Sequence, residues 1–552
     1  MTLDLLTSRI LAALGALALA GCASASHPDG DAPTQAAIAI ADLRHRLAIF
    51  ADDSMMGRQA GTEGARKGTA YIAAELRRLG LEPAGDSGTY FQSIPLVRRS
   101  VDSTATLAID DRTFRVWRDY VPVPVRGTPR DIDGAAIVHG GTLADSTTWI
   151  SNARAAGKVV VLDVPDGVEP RTPRLTASGR LGTAAAVVVG GLEYVSAATI
   201  AGYRRPSTSA ARGPAAAQVP SVLLASREMA STMAASAANG MPGKVVTGRV
   251  GYVIAPSPGR NVVAVLRGSD PALRGQYVAI GAHHDHVGIR ATAVDHDSMK
   301  ATNAALFAMR MANGDRVPSA AQRATLRVNV DSARSGRPPR SDSISNGADD
   351  DGSGSMAVLE IAEAVARSTT RPRRSLLFVW HDAEEIGLVG ARWFTDHPTV
   401  PRDSIVAQIN VDMIGRGTAA DRPPAGGDRY LQPIGARRLS TQLGDIIDAA
   451  NGALSTPFVF DYAFDADGHP ERIYCRSDHY MYARYGIPIV FFTTGLHGDY
   501  HQVTDEVRYI DYPHYARIAD FIRDVTLRVA NRDQRLVVDK PYSKDPNATC
   551  VQ

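Results

Sequence analysis

Ser375-Leu376-Leu377-Phe378-Val379-Trp380 runs directly into His381-Asp382-Ala383-Glu384-Glu385-Ile386-Gly387. A short apolar run of this kind reads as a buried strand. The adjacent carboxylates Glu384 and Glu385 then stand at its carboxyl end. Working outward, Tyr277 to Ala282, Ile405 to Val411 and Ile487 to Thr493 read as further apolar strands. Ser355 to Arg367 and Ile386 to Phe394 read as helices, and Tyr512 to Val529 as a closing amphipathic helix. Such alternation implies an α/β fold: a mixed, largely parallel sheet flanked by helices. In these sheets ligands bind beyond the carboxyl ends of the strands. His283, Glu384, Glu385 and Asp412 all fall at or just past such ends.

Five residues have metal-ligand chemistry in that setting. They are His283 in Gly281-Ala282-His283-His284-Asp285-His286, Asp350 in Asp349-Asp350-Asp351-Gly352-Ser353-Gly354, Glu385, Asp412 in Asn410-Val411-Asp412-Met413, and His501 in Gly498-Asp499-Tyr500-His501. Alone, an acidic turn or a loop histidine is an ordinary surface feature. Together, two imidazoles and three carboxylates suit two divalent cations bridged by one carboxylate. A paired-metal site makes hydroxide at neutral pH and polarises a carbonyl, which points to hydrolysis. Glu384, beside a ligand, is placed to take a proton from water. Asp285, two residues after His283, projects to the same side of an extended strand end and would orient that imidazole. His284 and His286 would face away or into the rim. Tyr500 could donate a hydrogen bond to an oxyanion.

Composition narrows little. The chain has 552 residues, 44% hydrophobic and 21% charged, with a formal net charge of +2. That balance gives no reason to expect nucleic acid as a partner. Arg9 precedes an apolar run, Ile10 to Ala20, that is too short to span a bilayer. The run ends in Leu19-Ala20-Gly21-Cys22, which resembles a bacterial lipoprotein processing site; an ordinary cleavable secretion signal is the alternative. Either way the chain is expected to be exported, and with lipidation at Cys22 it would be a periplasmic or outer-membrane-anchored lipoprotein. Export permits a bridge between Cys475 and Cys550, though two free thiols are equally compatible.

The expected organisation is a signal over 1–21, a tether over 22–35, and a first catalytic segment over 36–115. A β-rich module would occupy 116–255 and the remaining catalytic domain 256–532, followed by a tail over 533–552. Residues 289–346 form a long polar segment with few strand-like runs, read as either a surface insertion or a cover over the cleft.

These motifs, in this order, resemble the family-28 metallopeptidases, which include bacterial zinc aminopeptidases and relatives such as glutamate carboxypeptidase II and the transferrin receptor. Phe50 to Gln92 (with Met56-Gly57-Arg58 and Gly61-Thr62-Glu63-Gly64) matches the family's N-terminal segment, and Val116 to Tyr252 resembles a protease-associated domain. The resemblance implies two zinc ions, replaceable by cobalt or manganese, with Asp350 bridging. His283 and Asp412 would complete one zinc, and Glu385 with His501 the other. Glu384 would be the general base, Asp285 the orienter of His283, and Tyr500 the oxyanion donor, with a cis peptide between Asp350 and Asp351. It implies a peptide substrate and most closely an aminopeptidase, since Arg476-Ser477-Asp478-His479 is similar to that group. A dinuclear carboxypeptidase or dipeptidase is the alternative, followed by a glutaminyl cyclase or a non-catalytic binding protein. The chain departs from the family pattern at 289–346 and at His284, where tyrosine is more usual.

Overall fold

The strand predicted at Ser375–Trp380 runs one residue further, Ser375–His381, and is buried along its length. It lies between Gly259–Leu266, to which it is antiparallel, and Tyr277–His283, to which it is parallel. Ile405–Val411 pairs parallel with Tyr277–His283 and then with Ile489–Thr493. Tyr430–Ile434 is antiparallel to that last strand. The result is a nine-stranded mixed sheet with a parallel centre and antiparallel flanks. This computed structural model describes residues 34–552 apart from 126, 171–178, 212–217, 238–240, 315, 335 and 423–424. The signal expected at 1–21, the lipidation at Cys22 and nearly all of the tether lie outside the described residues.

Alternation along the strand sorts the two faces. Leu376, Phe378 and Trp380 join a core with Leu47, Leu76, Met356 and Ile522. That core is covered by helices Ile40–Phe50, Glu63–Arg78, Gly354–Ala366 and Tyr512–Ala530. Leu377 and Val379 face the opposite core, with Phe394, Tyr482 and Phe491. A strand covered on both faces needs apolar residues at every position, which is why the run reads as continuous rather than alternating. The helix predicted from Ile386 starts later, at Val389–Asp396. The N–H groups of Gly387 and Leu388 both turn back to the Glu384 carbonyl first.

A second, eight-stranded sheet forms the β-rich region. It takes in the hairpin Thr106–Ile109 and Arg112–Arg115, upstream of the expected boundary at 116. Leu107, Ile109 and Phe114 bury into its core beside Tyr120 and Val188, so the hairpin packs with the module. Within 289–346 the stretch Met299 to Asn313, which the sequence allows as helix, is helical as far as Ala312, and the order goes further than the polar composition announces. Gly288–Asp295 and Ser341–Ser345 pair as an antiparallel ribbon closing the base of the segment. Between them lie helices His296–Ala312, Ala320–Ala324 and Val330–Arg334. Ser341-Asp342-Ser343-Ile344-Ser345 is too polar to announce a strand. Cys475 and Cys550 form a disulfide.

Candidate metal centre

Strand ends supply the first half of the cluster. His283 closes its strand with Nε2 lying 3.2 Å from Asp350 Oδ1 and 3.7 Å from Asp412 Oδ1. Asp412 follows Ile405–Val411, and its other oxygen accepts from Ser477 Oγ at 2.7 Å. The His283 Nδ1–H donates to the backbone carbonyl of Asp285 at 3.0 Å, leaving Nε2 free to face the carboxylates. Asp285 thus orients His283 through its carbonyl, whereas the sequence predicted its carboxylate. That carboxylate lies 3.7 Å from Nδ1 and accepts the Glu384 N–H at 3.0 Å. The strand ends at His283, and the Asp285 carboxylate stays near the ring without hydrogen-bonding to it.

The second half gathers round Glu385. His501 Nε2 is 2.8 Å from Glu385 Oε2 and 3.1 Å from Asp350 Oδ2. Asp350 therefore presents one oxygen to each half. The other four sequence-predicted ligands meet around it. His286 joins them, with Nδ1 2.9 Å from Glu385 Oε1 and 3.7 Å from Asp350 Oδ2. Its expected place, facing away or at the rim, is wrong. His284 does face away, its Nε2 against the Arg260 carbonyl at 3.1 Å.

Backbone clamps hold the acidic turn. The Asp505 carboxylate accepts the N–H groups of Asp349 and Asp350. Asp351 accepts those of His283, Gly354 and Met413, tying three elements together. Asp349 accepts from Ser353 Oγ and the Gly415 N–H. Of the three aspartates, only Asp350 faces the cluster. A Cβ on Gly354 would stand 2.2 Å from the Val411 carbonyl, so only glycine fits there. The Asp350–Asp351 peptide is cis. Arg58, wholly buried, donates to the carbonyls of Phe50, His284, Asn346 and Gly347. It braces both the His283 and the Asp350 turns, a role that its sequence context does not signal. Burial lowers its pKa to about 10 despite the neighbouring Asp505 and Asp351 charges.

The electrostatics are those of a cation-binding pocket. Burial, with Glu385, Asp478 and Asp412 nearby, pushes Glu384 well above the ordinary carboxylate range against the pull of His283. Burial likewise raises Asp412 and, with Asp382, Asp285. Asp350 goes the other way: burial opposes ionisation, but His283 and His501 hold it well below its usual value. For His501 burial opposes protonation, yet Asp350 and Glu385 lift it to about 10. Asp350 Oδ2, His286 Nε2 and His501 Nε2 are buried without a well-formed hydrogen bond. Oxygen and imidazole donors crowded in this way, with buried charges of like sign, fit divalent metal ions. His283, Asp350 and Asp412 form one such group, and His286, Asp350 and Glu385 another. A third group, His296, Asp342 and Glu506, is already compensated. Arg508 Nη2 lies 3.1 Å from the His296 ring, and Arg340 pairs with both acids.

Beside the cluster opens a pocket with Met413, Phe464, Ile473, Phe491 and Leu496 in its wall. Tyr500 stands at its edge, stacked on His501 with ring centroids 3.8 Å apart. Burial and the charges of Asp350, Glu385 and Glu384 raise its pKa, so the phenol keeps its proton. Arg476 Nη2 donates to the Tyr500 hydroxyl at 3.4 Å, while Nη1 lies 2.7 Å from Glu471. Arg310, on the inserted helix His296–Ala312, meets the other oxygen of Glu471 at 2.5 Å.

A carboxylate–imidazole metal cluster at the carboxyl ends of a parallel sheet defines a class of α/β metallohydrolase. The comparisons are more particular: residues 261–526 match the model of Peptidase family M28. The leupeptin-inactivating enzyme 1 of Streptomyces exfoliatus is 44% identical over 77 residues, 13% of this chain and 18% of that protein. Leucine aminopeptidase 1 of Penicillium rubens is 28% identical over 180 residues, 30% of this chain and 43% of that protein. The matched stretches thus span less than half of these relatives. A zinc aminopeptidase from Bacillus subtilis shares the fold at 15% identity, with a TM-score of 0.50, covering 91% of this chain and 99% of that one.

Proposed function

We propose that this chain is an exported dinuclear zinc aminopeptidase that hydrolyses the first peptide bond of its substrates. The observation that carries the reading is Asp350 lying between His283 and Asp412 on one side and Glu385 and His501 on the other, with Glu384 Oε2 4.0 Å from His283 Nε2. His283, Asp350 and Asp412 would hold one zinc, and Asp350, Glu385 and His501 the other, with cobalt or manganese able to substitute. Bound zinc would supply a Lewis acid and lower the pKa of water. Glu384 takes a proton from the attacking water and passes it to the leaving amine, a task suited to a buried carboxylate with raised proton affinity. Tyr500, kept protonated, donates to the carbonyl oxygen as negative charge develops there. Met413, Ile473 and Phe491 receive an apolar first side chain.

A carboxypeptidase or dipeptidase is the second reading. Arg476 favours it, as a cation in the pocket that a terminal carboxylate would meet. Glu471 already neutralises that cation, which supports the aminopeptidase. To decide, the protein is stripped with chelator, reloaded with zinc, and given one apolar peptide with a free or an acetylated N-terminus. Loss of the first residue from the free peptide alone supports the proposal, whereas trimming of both from the C-terminus reassigns the activity. The β-rich region is proposed as a protease-associated domain and Cys22 as a lipid anchor. Cys22→Ala should release the protein from the membrane fraction, and unchanged association removes the anchor.

A further inference from the structure

We propose that His286 is a fourth protein ligand, through Nδ1, of the metal ion held by Asp350, Glu385 and His501. The inference rests on the dinuclear reading and gives it an asymmetry. The Glu385 half is closed by four side chains, while the His283–Asp412 half has three and stays open toward the pocket.

Four observations carry it. First, donors around a tetrahedral zinc at roughly 2.0–2.1 Å stand about 3.3 Å from one another. His286 Nδ1 lies 2.9 Å from Glu385 Oε1 and 3.7 Å from Asp350 Oδ2, and His501 Nε2 lies 2.8 Å from Glu385 Oε2 and 3.1 Å from Asp350 Oδ2, the two imidazoles meeting different oxygens of Glu385. Second, His286 Nδ1 faces the gap between the two carboxylates rather than the back of one. A residue that merely orients Glu385 would have no reason to approach Asp350. The rings of His286 and His501 meet edge to face with centroids 5.7 Å apart, and each brings a nitrogen to the Glu385 carboxylate, at 2.9 and 2.8 Å. Third, the Asp350 oxygen on this side is buried and lacks a well-formed hydrogen bond. Fourth, the imidazole is fixed in place. His286 is 1% exposed, and its backbone N–H donates to the Arg58 carbonyl at 3.2 Å. A Cβ at Gly347 would stand 2.6 Å from the ring, so the glycine leaves room for it.

A site with four protein ligands is the closed, structural type, and one with three retains an exchangeable position. The Glu385 side should therefore bind its ion more tightly and release it last to a chelator. Zinc affinities of the full-length parent and of His286→Gln, read by competition with a chromophoric chelator, test this directly. The expected result is a loss of more than about 100-fold at the tighter site, beyond the 10- to 100-fold typical of an orienting neighbour, with the weaker site unchanged. That retained site also shows that the variant is folded. His286→Cys loaded with cobalt(II) should gain a thiolate-to-cobalt charge-transfer band, which only a directly bound sulfur produces. Unchanged affinity in His286→Gln overturns the proposal, as does a loss within 100-fold together with no such band in His286→Cys. A parent that binds two ions while failing both tests leaves the dinuclear reading standing. A parent that binds no ion at the Glu385 side overturns both.

Discussion

His283, Glu384, Glu385 and Asp412 ride on the ends of neighbouring parallel strands, while His286, Arg476, Tyr500 and His501 sit on loops. Ladder hydrogen bonds fix His283 itself, and the neighbouring strands bring Asp412 and the Glu384–Glu385 turn beside it, so this geometry follows from the sheet. The second group needs added clamps: Arg58 beneath the His283–His286 turn, Asp505 behind the acidic turn, and the inserted helix beside the 495–506 loop. On that helix Lys300 pairs with Asp499, and Asn303 donates to Thr504 at 3.2 Å. A catalytic centre can thus be half inherited from a sheet and half assembled by long-range contacts, and the halves should respond differently to mutation.

The strand-borne half should show the largest chemical effect. Glu384→Gln keeps the volume and the backbone bond to Asp285 but removes the proton acceptor. Hydrolysis of a free peptide should fall about 10²–10⁴-fold, with metal content unchanged by elemental analysis. Loss of metal along with activity would make Glu384 a ligand instead.

The loop-borne half should yield first in stability. The Cys475–Cys550 bridge spans 75 residues and pins the tail beside the segment that carries Arg476. Replacing both cysteines by serine should cost about 2–4 kcal/mol in urea unfolding. The parallel-sheet core would remain, so local exposure of 463–479 by hydrogen exchange should exceed that of the strands. Uniform exposure would erase the distinction drawn between the halves.

Beneath the acidic turn, helix Gly354–Ala366 carries Glu360, which shares buried Arg46 with Glu363. Burial raises Glu360 from 4.5 to about 7 in spite of Arg46. A raised folded pKa means that its stabilising contribution is present below pH 4.5 and lost as pH rises through 7. Glu360→Gln should remove that dependence. The parent should lose about 1–3 kcal/mol relative to the variant between pH 4.5 and 8, and parallel stability profiles would refute the assignment.

What the sequence disclosed follows the same division. Ser375–His381 and Ile405–Val411 are legible because a strand buried on both faces must be apolar throughout, and the residues that follow must then stand at the sheet's edge. His286 departs from its expected place because two-residue alternation does not hold past His283, where the strand ends. Asp285 was given the right partner through the wrong atom for the same reason. The bracing roles of Arg58 and Asp505 leave no local pattern, because each acts mainly on backbone groups 155 to 289 residues away. The ribbon Gly288–Asp295 with Ser341–Ser345 was hidden by its polar residues.

The inserted segment offers the finest test of the loop-borne half. Arg310, Glu471, Arg476 and Tyr500 form a chain from the inserted helix to the pocket, in which Glu471 divides its two oxygens between two cations. Without Arg310, Glu471 would turn wholly to Arg476 and draw the guanidinium back from the Tyr500 hydroxyl. The hydrogen bond proposed from Tyr500 to the developing oxyanion would weaken while the apolar pocket stayed intact. Arg310→Met should therefore lower kcat about 3- to 10-fold with little change in KM, the scale of a partly exposed ion pair. Arg310→Lys should restore most of the loss, since the charge rather than the shape of the side chain holds Glu471. If kcat is unaffected in Arg310→Met, the inserted segment decorates the surface and takes no part in setting the pocket. A rise in KM alone would instead place Arg310 on the path of substrate entry.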